Sequence, residues 1–210
     1  VFALPILTPA GSGGTVSVQS GGTNLIIEPA GRGPMTIPLG SLTYRSSNHY
    51  WVDQTWIYQG GAVFLSQEGG TTVRVGPSIA VAKMGDNITL NVAPISLNGS
   101  DMIAGSGPVR VETRMRLSNQ STINGVYDWV NLTIEAGDDV TARAWKRAFD
   151  EVRERARDEN VTSLPEPKLP PGSKKVTLTV EPEEDNKMVF LTVYPSNYTV
   201  TIHGAASLVE

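Results

Sequence analysis

The sequence predicts a mainly β protein, an antiparallel β-sandwich with one amphipathic α-helix packed on it. Three observations carry this. Short runs rich in Val, Ile, Thr and aromatic residues recur along the chain, punctuated by Gly, Pro, Asn and Asp. Only one segment, residues 139–158, spaces its apolar residues at helical rather than alternating intervals. At 210 residues the chain suits one large domain, and a domain of this size buries roughly 70% of its unfolded surface. Residues 1–210 are therefore read as a single β-sandwich domain, elaborated by the helix and by a Pro-rich connection over 163–173.

The strands follow in order. "TVSVQSGGTNLIIEP" holds two β-rich runs around Gly21-Gly22, a pair that supplies the positive φ a tight hairpin needs. Further runs are "MTIPLGSLTY", "HYWVDQTWIY", "AVFLSQ", "TTVRV", "SIAVAK" and "NITLNVAPIS". In "VRVETRMRL", Val109, Val111, Thr113, Met115 and Leu117 face one way; Arg110, Glu112, Arg114 and Arg116 face the other. That alternation predicts a half-buried strand with a wet outer face. "GVYDWVNLTIE" reads as one more strand, paired to it through a turn at Asn124-Gly125. "KKVTLTVEP", "KMVFLTVYP" and "YTVTIHG" read as the last three, the first two joined by the acidic turn "EPEEDN".

The helix carries Val140, Ala144, Trp145, Ala148, Phe149, Val152 and Ala156 on one stripe. Asp138 and Asp139 stand where an N-cap and a first-turn acid belong. Beyond it, the prolines of "SLPEPKLPPGS" predict an extended connection poor in hydrogen bonds.

Composition bounds the function. A net charge of −4 argues against a nucleic-acid partner, whose binders carry a basic face. The absence of cysteine leaves the compartment open. "VFALPIL" is the strongest apolar run, and seven residues are too few to cross about 30 Å of hydrocarbon. The chain begins with Val1 rather than Met, so an upstream segment, a signal or a membrane anchor, is expected to have been removed.

Catalytic signatures are missing. His49 and His203 are the two histidines, and no HExxH, CxxC, P-loop or GxSxG pattern occurs. Acids cluster at Glu135, Asp138 and Asp139 and at Glu181, Glu183, Glu184 and Asp185, without the alternating ligand spacing of a calcium loop. They read as a helix start and a solvated turn. No cofactor, no metal and no catalytic residue is expected.

What exceeds background is Asn-x-Ser/Thr. It occurs at Asn87, Asn98, Asn119, Asn131, Asn160 and Asn197. With 11 Asn and 36 Ser plus Thr in 210 residues, chance supplies roughly two such acceptors. The excess predicts an exported, N-glycosylated protein whose acceptors lie on the surface. Asn98 and Asn160 are expected to be the most accessible and Asn87 open. Asn131 and Asn197 should point outward from strands, turning Val130, Leu132 and Tyr198 inward.

Six of the fourteen aromatic residues (Tyr44, Tyr50, Trp51, Trp56, Tyr58 and Phe64) fall between positions 44 and 64. With Gly60-Gly61 as a two-residue turn, Gln59 pairs with Ala62, Tyr58 with Val63, Ile57 with Phe64 and Trp56 with Leu65. Both faces of this hairpin are then aromatic, as in a central strand covered on both sides. The alternative is a ligand platform of Trp51, Asp53, Trp56 and Tyr58 in a secreted carbohydrate-binding module.

"LGSLTYRSSNHYWVDQTWIYQGGAVFLSQ", preceded by "GGTNLIIEPAG", resembles the ectodomains of archaeal type IV pilin-like surface proteins. Tyr44, Arg45, Asn48, Tyr50, Asp53, Gln54, Tyr58 and Gly60 to Val63 carry the match, over about 60 residues. The resemblance implies a non-catalytic, extracellular structural or adhesive module whose partners are other pilin-like subunits or surface proteins, with glycans as possible ligands. It also implies membrane attachment through an N-terminal hydrophobic helix absent from this chain, of which "VFALPILTP" would be the trailing edge.

Overall fold

The computed structural model describes residues 2–5, 13–46, 52–105, 107–116, 122–184 and 186–204. Its first strands are β1 (Phe2–Pro5), β2 (Gly14–Gln19), β3 (Asn24–Pro29), β4 (Met35–Pro38) and β5 (Ser41–Ser46). Next come β6 (Gln54–Gln59), β7 (Ala62–Gln67), β8 (Gly70–Val75), β9 (Ile79–Met84), β10 (Asn87–Val92), β11 (Ile95–Asn98) and β12 (Met102–Gly105). β13 (Pro108–Arg116), β14 (Ile123–Tyr127) and β15 (Val130–Glu135) precede α1 (Asp139–Asp158). After it follow β16 (Lys175–Val180), β17 (Val189–Val193) and β18 (Ser196–His203). The protein is mainly β with a single helix among the described residues, the sandwich-like class its sequence predicts.

The described strands form four sheets, ordered β1-β13-β18-β11, β12-β2-β5-β6-β7-β8, β16-β15-β3-β4 and β14-β17-β10-β9. The six-stranded sheet separates two cores. On one side Ala62 and Phe64 of β7, with half-buried Ile57 of β6, join the main core. That core is closed by the β16-β15-β3-β4 and β14-β17-β10-β9 sheets and by the inner stripe of α1. On the other side Val16 and Val18 of β2, with Leu42, Tyr44 and Tyr58, meet Leu97, Val109, Val111, Val200 and Ile202 in a smaller core. Alternation explains the division: neighbouring residues of one strand point to opposite faces, so a covered strand feeds both sides.

The helix spans Asp139–Asp158, as the periodicity predicts. Asp138 caps it in extended conformation, its Oδ1 accepting the Thr141 N–H at 2.8 Å. Ala144, Trp145, Ala148, Phe149, Val152 and Ala156 are buried. Val140 is a correction. It is 43% exposed, and the buried residues of the helix begin only at Ala142 and Ala144. No helix among the described residues is long and apolar enough to cross a membrane.

Several local pairings are also corrected. Gly21 and Gly22 do have positive φ (70° and 78°), but β2 and β3 belong to different sheets. The glycines steer the chain from the smaller core, which takes Val16 and Val18, to the main core, which takes Leu25 and Ile27. "GVYDWVNLTIE" breaks into β14 and β15, in separate sheets, with Asn124-Gly125 inside β14 rather than at a turn. β13 pairs instead with β1 and β18. Of its expected inner face, Val109 and Val111 are buried, Thr113 and Met115 are exposed, and Leu117 lies outside the described residues. β16 and β17 likewise sit in different sheets. Two pairings, β10 with β17 and β11 with β18, are parallel, so the sandwich is not wholly antiparallel.

The Pro-rich connection is extended but better anchored than its prolines suggest. Lys168 and Thr177 exchange backbone hydrogen bonds of 2.8 and 3.0 Å. Leu164 is buried and its carbonyl accepts from Arg153 Nε at 2.8 Å. Lys146 on the helix reaches Glu166 at 3.0 Å.

Candidate functional site

The β6–β7 hairpin has the register its turn dictates: Gln59 opposite Ala62, Tyr58 opposite Val63, Ile57 opposite Phe64 and Trp56 opposite Leu65. Gly60 and Gly61 turn the chain at φ 62° and 92°. Gly60 is also needed for space, since a Cβ there would lie 3.0 Å from Leu39 and 3.1 Å from the Trp145 ring. Beneath the turn, Gln59 is buried and its Oε1 accepts from Trp145 Nε1 at 2.7 Å. Trp145 meets Phe64 edge-on at 5.6 Å and Phe149 at 5.9 Å between ring centroids. This face of the aromatic stretch is core.

The opposite face differs. Tyr58 is half-buried and, with Leu42, Ile95, Leu97, Tyr198 and Val200, lines an apolar cavity of about 300 Å³. Burial first, and then the neighbouring Tyr198, hold the Tyr58 hydroxyl above the ordinary tyrosine range. Trp56 is half-buried, less covered than a central strand closed on both sides requires, its Nε1 donating to Gln54 Oε1 at 3.3 Å. Asp53 is exposed, and Trp51 lies outside the described residues, as do Asn48 and Tyr50. Thus Tyr58 is turned toward the smaller core while Asp53 faces solvent.

The asparagines of the Asn-x-Ser/Thr signals form a second set. Asn160 is exposed and holds a positive φ of 62°, just past the helix. Asn87, Asn98, Asn131 and Asn197 are half-buried, and Asn119 lies outside the described residues. Asn98 is expected to be among the most accessible, yet it is half-buried. It ends β11, and its Nδ2 donates to Asn197 Oδ1 at 2.5 Å. Asn87 was expected to be open, but its Oδ1 accepts the Met188 N–H at 2.9 Å. Asn131 Oδ1 accepts from Thr179 Oγ1 at 2.8 Å. Val130 and Leu132 point inward as alternation requires, and Tyr198 turns to the smaller core.

Folding also brings together residues that the sequence keeps far apart. Asn87 and Asn160 line one polar cleft of about 80 Å³ with Lys83, Asp86, Thr162 and Lys187. Lys187 Nζ donates to Asp86 Oδ2 at 2.9 Å. That contact holds the Asp86 carboxyl below the usual carboxylate range and Lys187 above the usual lysine range. No local motif announces this cleft, because it gathers three distant segments.

The acidic clusters are engaged in structure. Asp138 caps the helix and Glu135 pairs with Lys175 at 2.9 Å. Glu183 accepts from Thr162 at 3.2 Å, Glu184 lies 3.8 Å from Lys187, and Asp185 is outside the described residues. No group of three potential metal ligands occurs among the described residues. His203 Nε2 stands 3.5 Å from Glu112 Oε2, while His49 is outside the described residues.

A family model described as a family of unknown function (DUF7289) matches residues 11–193. No curated protein and no solved structure matches the chain.

Proposed function

The chain belongs to that family of unknown function, DUF7289, and on this premise we propose that it is a non-catalytic, exported surface module of the pilin-like kind. It bears N-linked glycans and serves a structural or adhesive role among neighbouring surface proteins. One observation carries this reading: none of the five described acceptor asparagines is buried. Asn87, Asn98 and Asn131 lie in strands beside buried Ile88, Leu97 and Leu132, so alternation turns each amide to the opposite face, and Asn160 is exposed in the turn past the helix. A bulky polar glycan requires that orientation. The carbohydrate-platform alternative finds less support, because Trp56 and Tyr58 are half-buried and Tyr58 opens on an apolar cavity.

Intact mass of the protein purified from its own host tests the reading. The expected spectrum carries glycan increments above the bare-chain mass. A mass equal to the bare sequence overturns the glycan-bearing surface module.

A further inference from the structure

Two of the acceptors are not independent. β11 and β18 run parallel, with Ser96 opposite Asn197 and Asn98 opposite Thr199. Leu97 is buried and Tyr198 faces the same smaller core, so alternation turns Asn98 and Asn197 onto the face opposite that core, where both are half-buried and Ser96 beside them is buried. There the two side-chain amides touch, Asn98 Nδ2 donating to Asn197 Oδ1 at 2.5 Å. A primary amide spans about 2.3 Å from oxygen to nitrogen, so the two acceptor nitrogens lie within about 5 Å of one another. Asn98-Gly99-Ser100 and Asn197-Tyr198-Thr199 are therefore two acceptor signals sharing one place on the surface.

We propose that Asn98 and Asn197 form a single acceptor site that carries one glycan and never two. The inference rests on the glycan-bearing reading above. To be modified, one amide must rotate out of the pair into the transferring enzyme. The sugar then attached to its nitrogen occupies the space above the neighbouring amide. The enzyme has to enclose the second acceptor and its Ser or Thr, and the first glycan stands where it would bind. Asn131 is bonded to Thr179 rather than to another acceptor, so this exclusion does not reach it.

The test is made in the native host with Asn87, Asn119, Asn131 and Asn160 all replaced by Gln, leaving the pair as the sole acceptors. Intact mass should show one glycan increment per molecule. Adding Ser100→Ala, which removes one acceptor signal while leaving both amides in place, should raise occupancy of Asn197 by the share that Asn98 held, about twofold where the two share the glycan equally. Thr199→Val should do the same for Asn98. If the four Gln replacements impair folding, the Ser100→Ala and Thr199→Val variants of the otherwise native chain give the same readout by glycopeptide mass spectrometry. Two increments on one molecule overturn the proposal. So does occupancy at both asparagines that ignores loss of the other signal, or glycans at other positions with none on this pair. Absence of glycan from every acceptor of the native protein overturns instead the glycan-bearing reading on which the proposal rests.

Discussion

Trp145 shows how a single side chain ties the helix to the sheet. It is 2% exposed, contacts two aromatic rings edge-on and donates its one N–H to buried Gln59. Replacing Trp145 or Phe149 by Ala should cost about 3–5 kcal/mol in denaturant unfolding, as for other large core truncations. A loss below about 1 kcal/mol would mean that the helix does not rely on this packing. Trp145→Phe keeps most of the ring but strands the Gln59 amide, and should cost about 1–3 kcal/mol. Tyr58 makes a second prediction, in pH. Its folded-state value is raised by burial and Tyr198, so the neutral phenol is the form that favours folding. That contribution is complete below the ordinary tyrosine range and is lost as pH rises through the folded value. Thermal melts across the alkaline range should therefore fall less steeply for Tyr58→Phe than for the native chain. Parallel curves would show that Tyr58 does not contribute to the alkaline loss.

At the scale of elements, α1 combines several independent signals that agree. Asp138 caps its start, Asp139 lies in its first turn, and Arg155 and Arg157 lie in its last. Asp138→Ala should therefore destabilise the fold by about 1 kcal/mol, read as a shift in denaturation midpoint without a change in slope. A slope change would point instead to an altered unfolded state. The β6–β7 hairpin is equally consistent across levels, with two glycines at positive φ, alternating partners and an aromatic pair against the helix. Other glycine signals behave differently. Gly21 and Gly22 take the φ values a turn needs, yet the strands they join part company. A turn residue determines that the chain changes direction, whereas the partner depends on which apolar face finds cover.

For the whole molecule, the six-stranded sheet lies between cores of unequal size. The main core draws on three sheets and the helix; the smaller one lies between two sheets and borders the 300 Å³ cavity. Local opening free energy follows the density of buried apolar packing. Amides of β11 and β18 should therefore exchange with solvent before those of β3 and β15, which lie in the interior of their sheet and beside the main core. Native-state hydrogen exchange is the measurement, and equal protection in the two sets would mean that both cores open as one unit. Leu97→Ala should widen the difference, because it removes a buried residue from the smaller core alone.

The sequence by itself determined the β-rich class, the span and cap of α1, the Gly60-Gly61 hairpin with its register, and the positions of the acceptor signals. Each rests on physics local to a few neighbouring residues: period, capping, positive φ and the chemistry of a tripeptide. Tertiary structure alone decided the rest. It placed β2 and β3 in different sheets, aligned β10 with β17 and β11 with β18 in parallel, and left Val140 in solvent. It also joined Asn98 to Asn197 and brought Asn87 and Asn160 to one cleft. Hydrophobic burial is non-directional, so an apolar strand face specifies that it must be covered without specifying by what. Only the closed set of sheets names the partner, and contacts between residues about a hundred positions apart exist only once that closure is made.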